Sequence, residues 1–204
     1  MTPTIGSMFG ALFVPEDLEK ATRDLLGLWL PTYLSEVERQ QDIEEGRIAR
    51  PKFIGTSVEA DLWPGEELPA LIVVAPGTSG EPDREQDARW AAWYQVTVAC
   101  LVQAPDEISV RALAGFYSAA VRGVILQHPS IGGFAEGTWW LGEDYEGAAG
   151  TDRNRTRGAV LLHFRARVRD IVDGSNGPLA PDPDAPADWP IVQEVDIDLE
   201  ADDD

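Results

Sequence analysis

Two histidines, one cysteine and a surplus of carboxylates are the residues of this 204-residue chain with the means for chemistry. Nucleophilic catalysis needs an activated Ser, Thr or Cys beside a base that a third group orients, and only His128 and His163 can supply that base. His128 precedes Pro129 at the end of a helical pattern, where a cation complements the carbonyl dipole. His163 opens "HFRARVRD" on the polar side of an alternating strand, among arginines, whereas a tuned catalytic group belongs in an apolar cleft with partners. Both histidines read as structural. Cys100, in "WYQVTVACLV", can form neither an internal disulfide nor a thiolate metal site alone and reads as a small buried hydrophobe.

The acidic pairs Asp182 with Asp184 and Asp196 with Asp198 have the type but not the spacing of a Ca²⁺ loop, because "DIDLEADDD" lacks the turn glycine and the closing glutamate. "PGTSGEPD" has two glycines without the Lys-Ser or Lys-Thr pair of a phosphate loop, and "NRT" at 154–156 matches a glycosylation acceptor by chance. The expectation is therefore no cofactor, no metal and no enzymatic activity.

Arg165, Arg167 and Arg169 stand at every second position, and six of the sixteen basic residues fall between Arg153 and Arg169. A solvated strand face accounts for this row, and so does a face that meets acid across an interface. "VQEVDIDLE" (192–200) has the same two-residue period, with Val195, Ile197 and Leu199 alternating with Asp196, Asp198 and Glu200. Added as a strand near the arginines, it would set opposite charges at matching intervals, on the order of 0.2 to 1 kcal/mol per pair. Trp189, alone in a polar stretch, reads as an anchor on the body or on a neighbour. The pairs Trp90 with Trp93 and Trp139 with Trp140 read as packing rather than as a platform for bases, since basic residues are not interleaved with them along the chain.

The elements that position these residues follow from periodicity. Pro15, Glu16 and Asp17 open a helix over 15–41 whose apolar face carries Leu18, Ala21, Leu25 and Leu28, with a break or kink at Pro31 and then Tyr33, Leu34 and Val37. A polar turn around Pro64 and Gly65 precedes a strand from Ala70, whose continuous apolar run predicts burial on both faces. Residues 76–89 read as an exposed loop or hairpin connection. In the next strand Tyr94, Val96, Val98, Cys100 and Val102 share one face. Asp106 caps the strongest helix, with Val110, Leu113, Ala114, Tyr117, Val121, Val124 and Ile125 as its stripe, ended by Pro129, Gly132 and Gly133. "GTWWLGEDYEG" predicts a short aromatic strand and "RNRTRGAVLLHFRARVRDIVD" a long one wet on one side. This order predicts an α+β fold, a mainly antiparallel sheet with helices packed on one face. It occupies residues 1–173, followed by an acidic extended arm, 174–204.

Composition narrows the function classes. With 36 acidic residues against 16 Lys and Arg, the formal net charge is −20, ten units of it in the arm, which carries no basic residue. That field repels phosphate-rich surfaces and anionic membranes. No apolar run long enough to span a bilayer and no secretory leader stands out, so a soluble, cytosolic protein is expected.

"FGALFVPEDLEKATRDLLGLWLPTYLSEVERQ", "LPALIVVAPGT" and above all "VRALAGFYSAAVRGVILQHPSIGGFAEGTWWLGEDYE" resemble the tail terminator proteins of long-tailed (siphovirus-type) actinobacteriophages, over about residues 9–173. The resemblance implies a homo-oligomeric ring, a hexamer, on the head-proximal end of the tail tube in the virion's neck, assembled in the host cytoplasm. Its implied partners are other copies of itself, the major tail tube protein and a head-tail connector (stopper) protein, with phage DNA passing through the lumen unbound and no membrane. No catalytic residues are implied. The interface candidates are Arg165, Arg167, Arg169, Trp189, Asp196, Asp198 and Glu200. The alternatives are another connector (stopper or adaptor), an enzyme, and a small DNA-binding module using the three arginines.

Overall fold

Pro15 supplies a pre-set φ at the first helical position, and the Asp17 carboxylate accepts the Val14 backbone N–H at 3.2 Å, so helix α1 (Pro15–Gln40) starts where the sequence predicts. The structure is a computed structural model that describes residues 13–60, 67–85, 89–151 and 155–173. The expected break does not occur: α1 runs through Pro31. Pro31 and Gly27 are both exposed, so the carbonyl that loses its partner faces water, while buried Leu26, Leu30 and Leu34 hold the helix on either side. The buried stripe is also turned from the expected one. Leu18, Thr22, Leu26, Leu30, Leu34 and Glu38 follow at every fourth position, whereas Leu28 is 69% exposed.

After α1 come β1 (Phe53–Thr56), the single turn α2 (Ser57–Ala60), β2 (Ala70–Thr78), β3 (Asp83–Arg84) and β4 (Arg89–Ala104). Helix α3 (Glu107–Gln127), a 3-10 turn (Ile131–Gly133), β5 (Gly137–Thr151) and β6 (Arg155–Asp173) complete the described chain. The strands form one sheet in the order β1-β2-β4-β6-β5, with β3 beside β4. Every pairing is antiparallel except β1 with β2, and α1 and α3 pack on one face. The architecture is thus the α+β one expected. β1 and α2 were not predicted, since a four-residue strand containing Gly55 shows too little alternation to stand out. The arm, 174–204, lies outside the described residues.

Two buried carboxylates in α1 tie it to these elements. Glu19 accepts the Ser57 N–H (3.0 Å), the Ser57 hydroxyl (2.7 Å) and the Ala75 N–H (2.8 Å). Glu38 accepts the Ile48 N–H (2.7 Å) and the Arg50 guanidinium (3.1 Å). Both are buried polar groups made tolerable by full pairing.

In β2 the expectation of burial on both faces fails. Leu71, Val73 and Ala75 are buried toward the helices, but Ile72 and Val74 are half-buried on the opposite face. A continuous apolar run has the same composition whether one face is covered or two, so only packing separates the cases. In β4 and β6 the alternation holds: Tyr94 to Val102 and Val160 to Val168 bury their alternate residues in the core.

Helix α3 starts at Asp106, whose carboxylate accepts the Ser109 N–H at 2.8 Å. It is long and apolar enough by length and composition to cross a membrane, contrary to the expectation that no such run exists, but its buried stripe from Val110 to Ile125 packs in the same core as the sheet. Past its end, Ile131, Gly132 and Gly133 all have positive φ (44°, 66° and 95°), a reversal that glycine makes at little cost and that delivers the chain to β5.

Candidate functional site

Strand registers order the side chains on the face turned away from the helices into rows. The first rows are Phe53, Ala70, Leu101, Ala159 and Glu146, then Ile72, Ala99, Leu161 and Asp144. Val74, Thr97 and His163 form the next, followed by Gln95, Arg165 and Trp139, and finally Trp93 with Arg167. Along β2, β4 and β6 the face therefore grades from apolar to cationic and aromatic, while β5 sets Glu146 and Asp144 beside the apolar end. Ile72, Val74, Leu101 and Leu161 are half-buried and stand outside the core cluster, whereas Ala70 and Ala159 in the same rows are buried.

At the cationic end the Arg165 guanidinium lies 4.6 Å from the centre of the Trp93 ring, and Trp93 meets Trp139 edge to face at 4.7 Å. Arg167, 5.9 Å from the same ring, is held among Asp83 (3.9 Å), Glu85 (3.6 Å) and Glu136 (3.4 Å). Arg169 pairs with Glu85 (3.1 Å) and Glu136 (3.0 Å). Of the arginine row, two members are matched by acids of their own chain, and among the described residues Arg165 makes no ion pair. Trp189, Asp196, Asp198 and Glu200 lie outside the described residues.

Strand pairing thus interleaves base and aromatic where the linear sequence separates them. Trp93 sits opposite Arg167, and Trp139 opposite Arg165. Trp140 turns instead toward the helices, where the Arg122 guanidinium lies 4.8 Å from its ring, and Glu143 accepts both the Ser118 hydroxyl and Arg122 (3.3 Å). The neutralising acids, Glu85 and Glu136, escaped the sequence reading because they approach from a loop and a turn remote from the row in sequence.

His163 has more partners than its position predicts. Its Nε2 meets an Asp144 carboxylate oxygen at 3.1 Å and its Nδ1 the Thr97 hydroxyl at 3.1 Å. With Nε2–H donated to Asp144, Nδ1 is left to accept from Thr97, an order of acid, base and hydroxyl shared with catalytic triads. Thr97, however, sits mid-strand with partner strands on both sides, so its neighbouring amides serve sheet ladders and do not converge on a developing oxyanion. The constellation clasps β4, β5 and β6. His128 packs flat on Trp29 at 4.8 Å, closing the end of α3 against α1. Cys100 is fully buried, and that burial pushes its thiol well above the usual range. Among the described residues no group of three or more His, Cys, Asp or Glu is placed to hold a metal ion.

No family model and no curated protein matches the chain. Among solved structures, a chain of the virion of a native gene transfer agent particle is similar over 65% of this chain and 91% of that chain, at 16% sequence identity and a TM-score of 0.38.

Proposed function

We propose that the protein is a structural component of a phage virion, a tail terminator that caps the head-proximal end of the tail tube as a ring. The observation that carries this reading is the graded sheet face, with half-buried Ile72, Leu101 and Leu161 leading into the Arg165–Trp93–Trp139 cluster, on a chain of net charge −20. A closed ring needs two different and mutually complementary patches per subunit. A cationic, aromatic, partly apolar face on one subunit and the acidic remainder of the next supply such a pair. The sequence resemblance over about residues 9–173 supports the same reading and suggests six copies.

In this role the protein acts by contact and not by bond making, and the histidine clasp serves packing. The net negative charge lets DNA pass the lumen without retention. Mass measurement and imaging of the purified protein, alone and with assembled tail tubes, test the proposal. Rings at one end of tubes of uniform length are expected. A protein that stays monomeric beside tubes, or that stacks on portals instead, refutes it, the latter in favour of a stopper or adaptor.

A further inference from the structure

The sheet ends at β5, whose outer edge has no ladder partner among the described residues. Such an edge invites another strand unless charge, proline or a bulge blunts it. A register shift at Trp140/Gly142 bends β5 once, and there the Gly142 carbonyl already accepts the Trp140 indole N–H at 3.0 Å. A second shift at Glu146/Ala149 bounds a straight stretch, residues 143–146, as long as the ladder that joins β1 to β2. The two sides of this stretch differ in chemistry. On the open face Asp144, 76% exposed, meets His163, and exposed Glu146 makes no ion pair among the described residues. On the helix side Tyr145 is 45% exposed, and Glu143 is matched by Ser118 and Arg122. Beside Tyr145 lies a cavity of about 190 Å³ lined by Glu107, Val110, Arg111, Ala114, Tyr145 and Glu146. A cavity of about 150 Å³ holds benzene, so this one admits an apolar side chain, while Arg111 in its wall disfavours a cation.

We propose that residues 143–146 of β5 take up an added strand from a different protein, one that alternates Lys or Arg with apolar residues. Its backbone extends the ladder, its basic side chains lie beside Asp144 and Glu146 on the open face, and its apolar ones lie beside Tyr145 and the cavity on the other. A two-residue period sends each set to one side only, as this division requires. A second β5 is a poor occupant, because residues 137–151 hold three acids and no base and would set acid beside acid. The alternating run Arg165 to Arg169 of a second copy is no better, since β6 is already paired on both sides. The net charge of −20 attracts a basic segment and speeds its encounter. This edge lies outside the Arg165 cluster on which the ring contact rests, so either contact can fail alone.

The test uses the full chain, isotope-labelled for NMR, and as probe a synthetic heptapeptide that alternates Val and Lys, with blocked ends. The amide signals of residues 143–146 are expected to shift, and those on the outer edge to exchange with solvent about tenfold more slowly. Two forms of the peptide, N-methylated at every Val or at every Lys, keep the side chains and the charge. The form that blocks the edge facing β5 is expected to bind about tenfold more weakly than the other. Glu146→Lys, or a peptide that alternates Val and Glu, is expected to abolish binding while the rest of the spectrum reports an unchanged fold. A peptide that does not bind, that binds equally in both methylated forms, or that shifts amides away from β5 overturns the proposal. Outer β5 amides already protected without peptide, at the mass of two copies, overturn it in favour of self-pairing.

Discussion

Replacing Glu38 probes how α1 is fastened to the segment that leads into β1. The side chain is 1% exposed, and its carboxylate accepts the Ile48 N–H at 2.7 Å and the Arg50 guanidinium at 3.1 Å. Glu38→Ala strands a buried backbone donor, at about 1–3 kcal/mol, and removes the counter-ion of Arg50. Breaking a fully buried pair costs about 3–5 kcal/mol, but the Arg50 side chain is 34% exposed and water can reach it, so a total of about 2–4 kcal/mol is expected. Glu38→Gln keeps an acceptor for Ile48 and loses only the charge, for about 1–2 kcal/mol. Against a domain stability of about 5–15 kcal/mol, either loss is measurable by urea unfolding followed through tryptophan fluorescence.

The pH dependence carries a sign. Burial pushes the Glu38 carboxyl up, but the backbone N–H groups of Ile48 and Gly46 and the Arg50 guanidinium outweigh it and hold it below its ordinary value of 4.5. A group lowered on folding contributes stability above its unfolded value and loses it as pH falls through the folded one. The gap between the natural protein and Glu38→Gln should therefore be full near neutral pH and shrink as pH falls below 4.5. An alanine variant within about 0.5 kcal/mol of the natural protein at neutral pH, or a gap that widens on acidification, refutes the brace.

Further outcomes follow from burial and close approach. Leu26→Ala, at a fully buried position, should cost about 2–5 kcal/mol in urea unfolding, whereas Leu28→Ala, at 69% exposure, should stay within about 0.5 kcal/mol. A larger loss at Leu28 than at Leu26 would mean that the buried helix face is the one periodicity alone suggests. A Cβ added at Gly158 would come within 2.5 Å of the Val110 Cγ1 atom, so Gly158→Ala should destabilise by about 1–3 kcal/mol and lower the thermal midpoint by several degrees. Phe164→Ala should cost about 3–5 kcal/mol while its neighbour Arg165→Ala costs about 1 or less in the free chain, and only the latter should weaken assembly in a mass measurement.

Where local rules act alone, the structure follows them. Asp106 caps α3, Pro15 opens α1, and the two-residue period of β4 and β6 buries one side of each strand, because capping groups and alternation depend on residues near in sequence. The same alternation made the arginine row legible as a face, but not its surroundings. Glu85 and Glu136 reach Arg167 and Arg169 across the sheet, and Trp93 and Trp139 reach Arg165 through strand pairing. Nor does spacing show that His163 joins Asp144 to Thr97, since those residues belong to three strands whose register no sequence interval encodes.

By itself the sequence determined the two long helices and the strands β2, β4, β5 and β6, though not β1, α2 or β3, together with the α+β class and the change from a body of mixed charge to a stretch of acid alone. Only the tertiary structure decided which side of α1 is buried, that Pro31 is tolerated, and that β2 is covered on one face only. The reason is that periodicity fixes a side chain's direction relative to its own element, whereas burial, pairing and charge neutralisation are properties of what stands opposite, and that is set by chain segments tens of residues away.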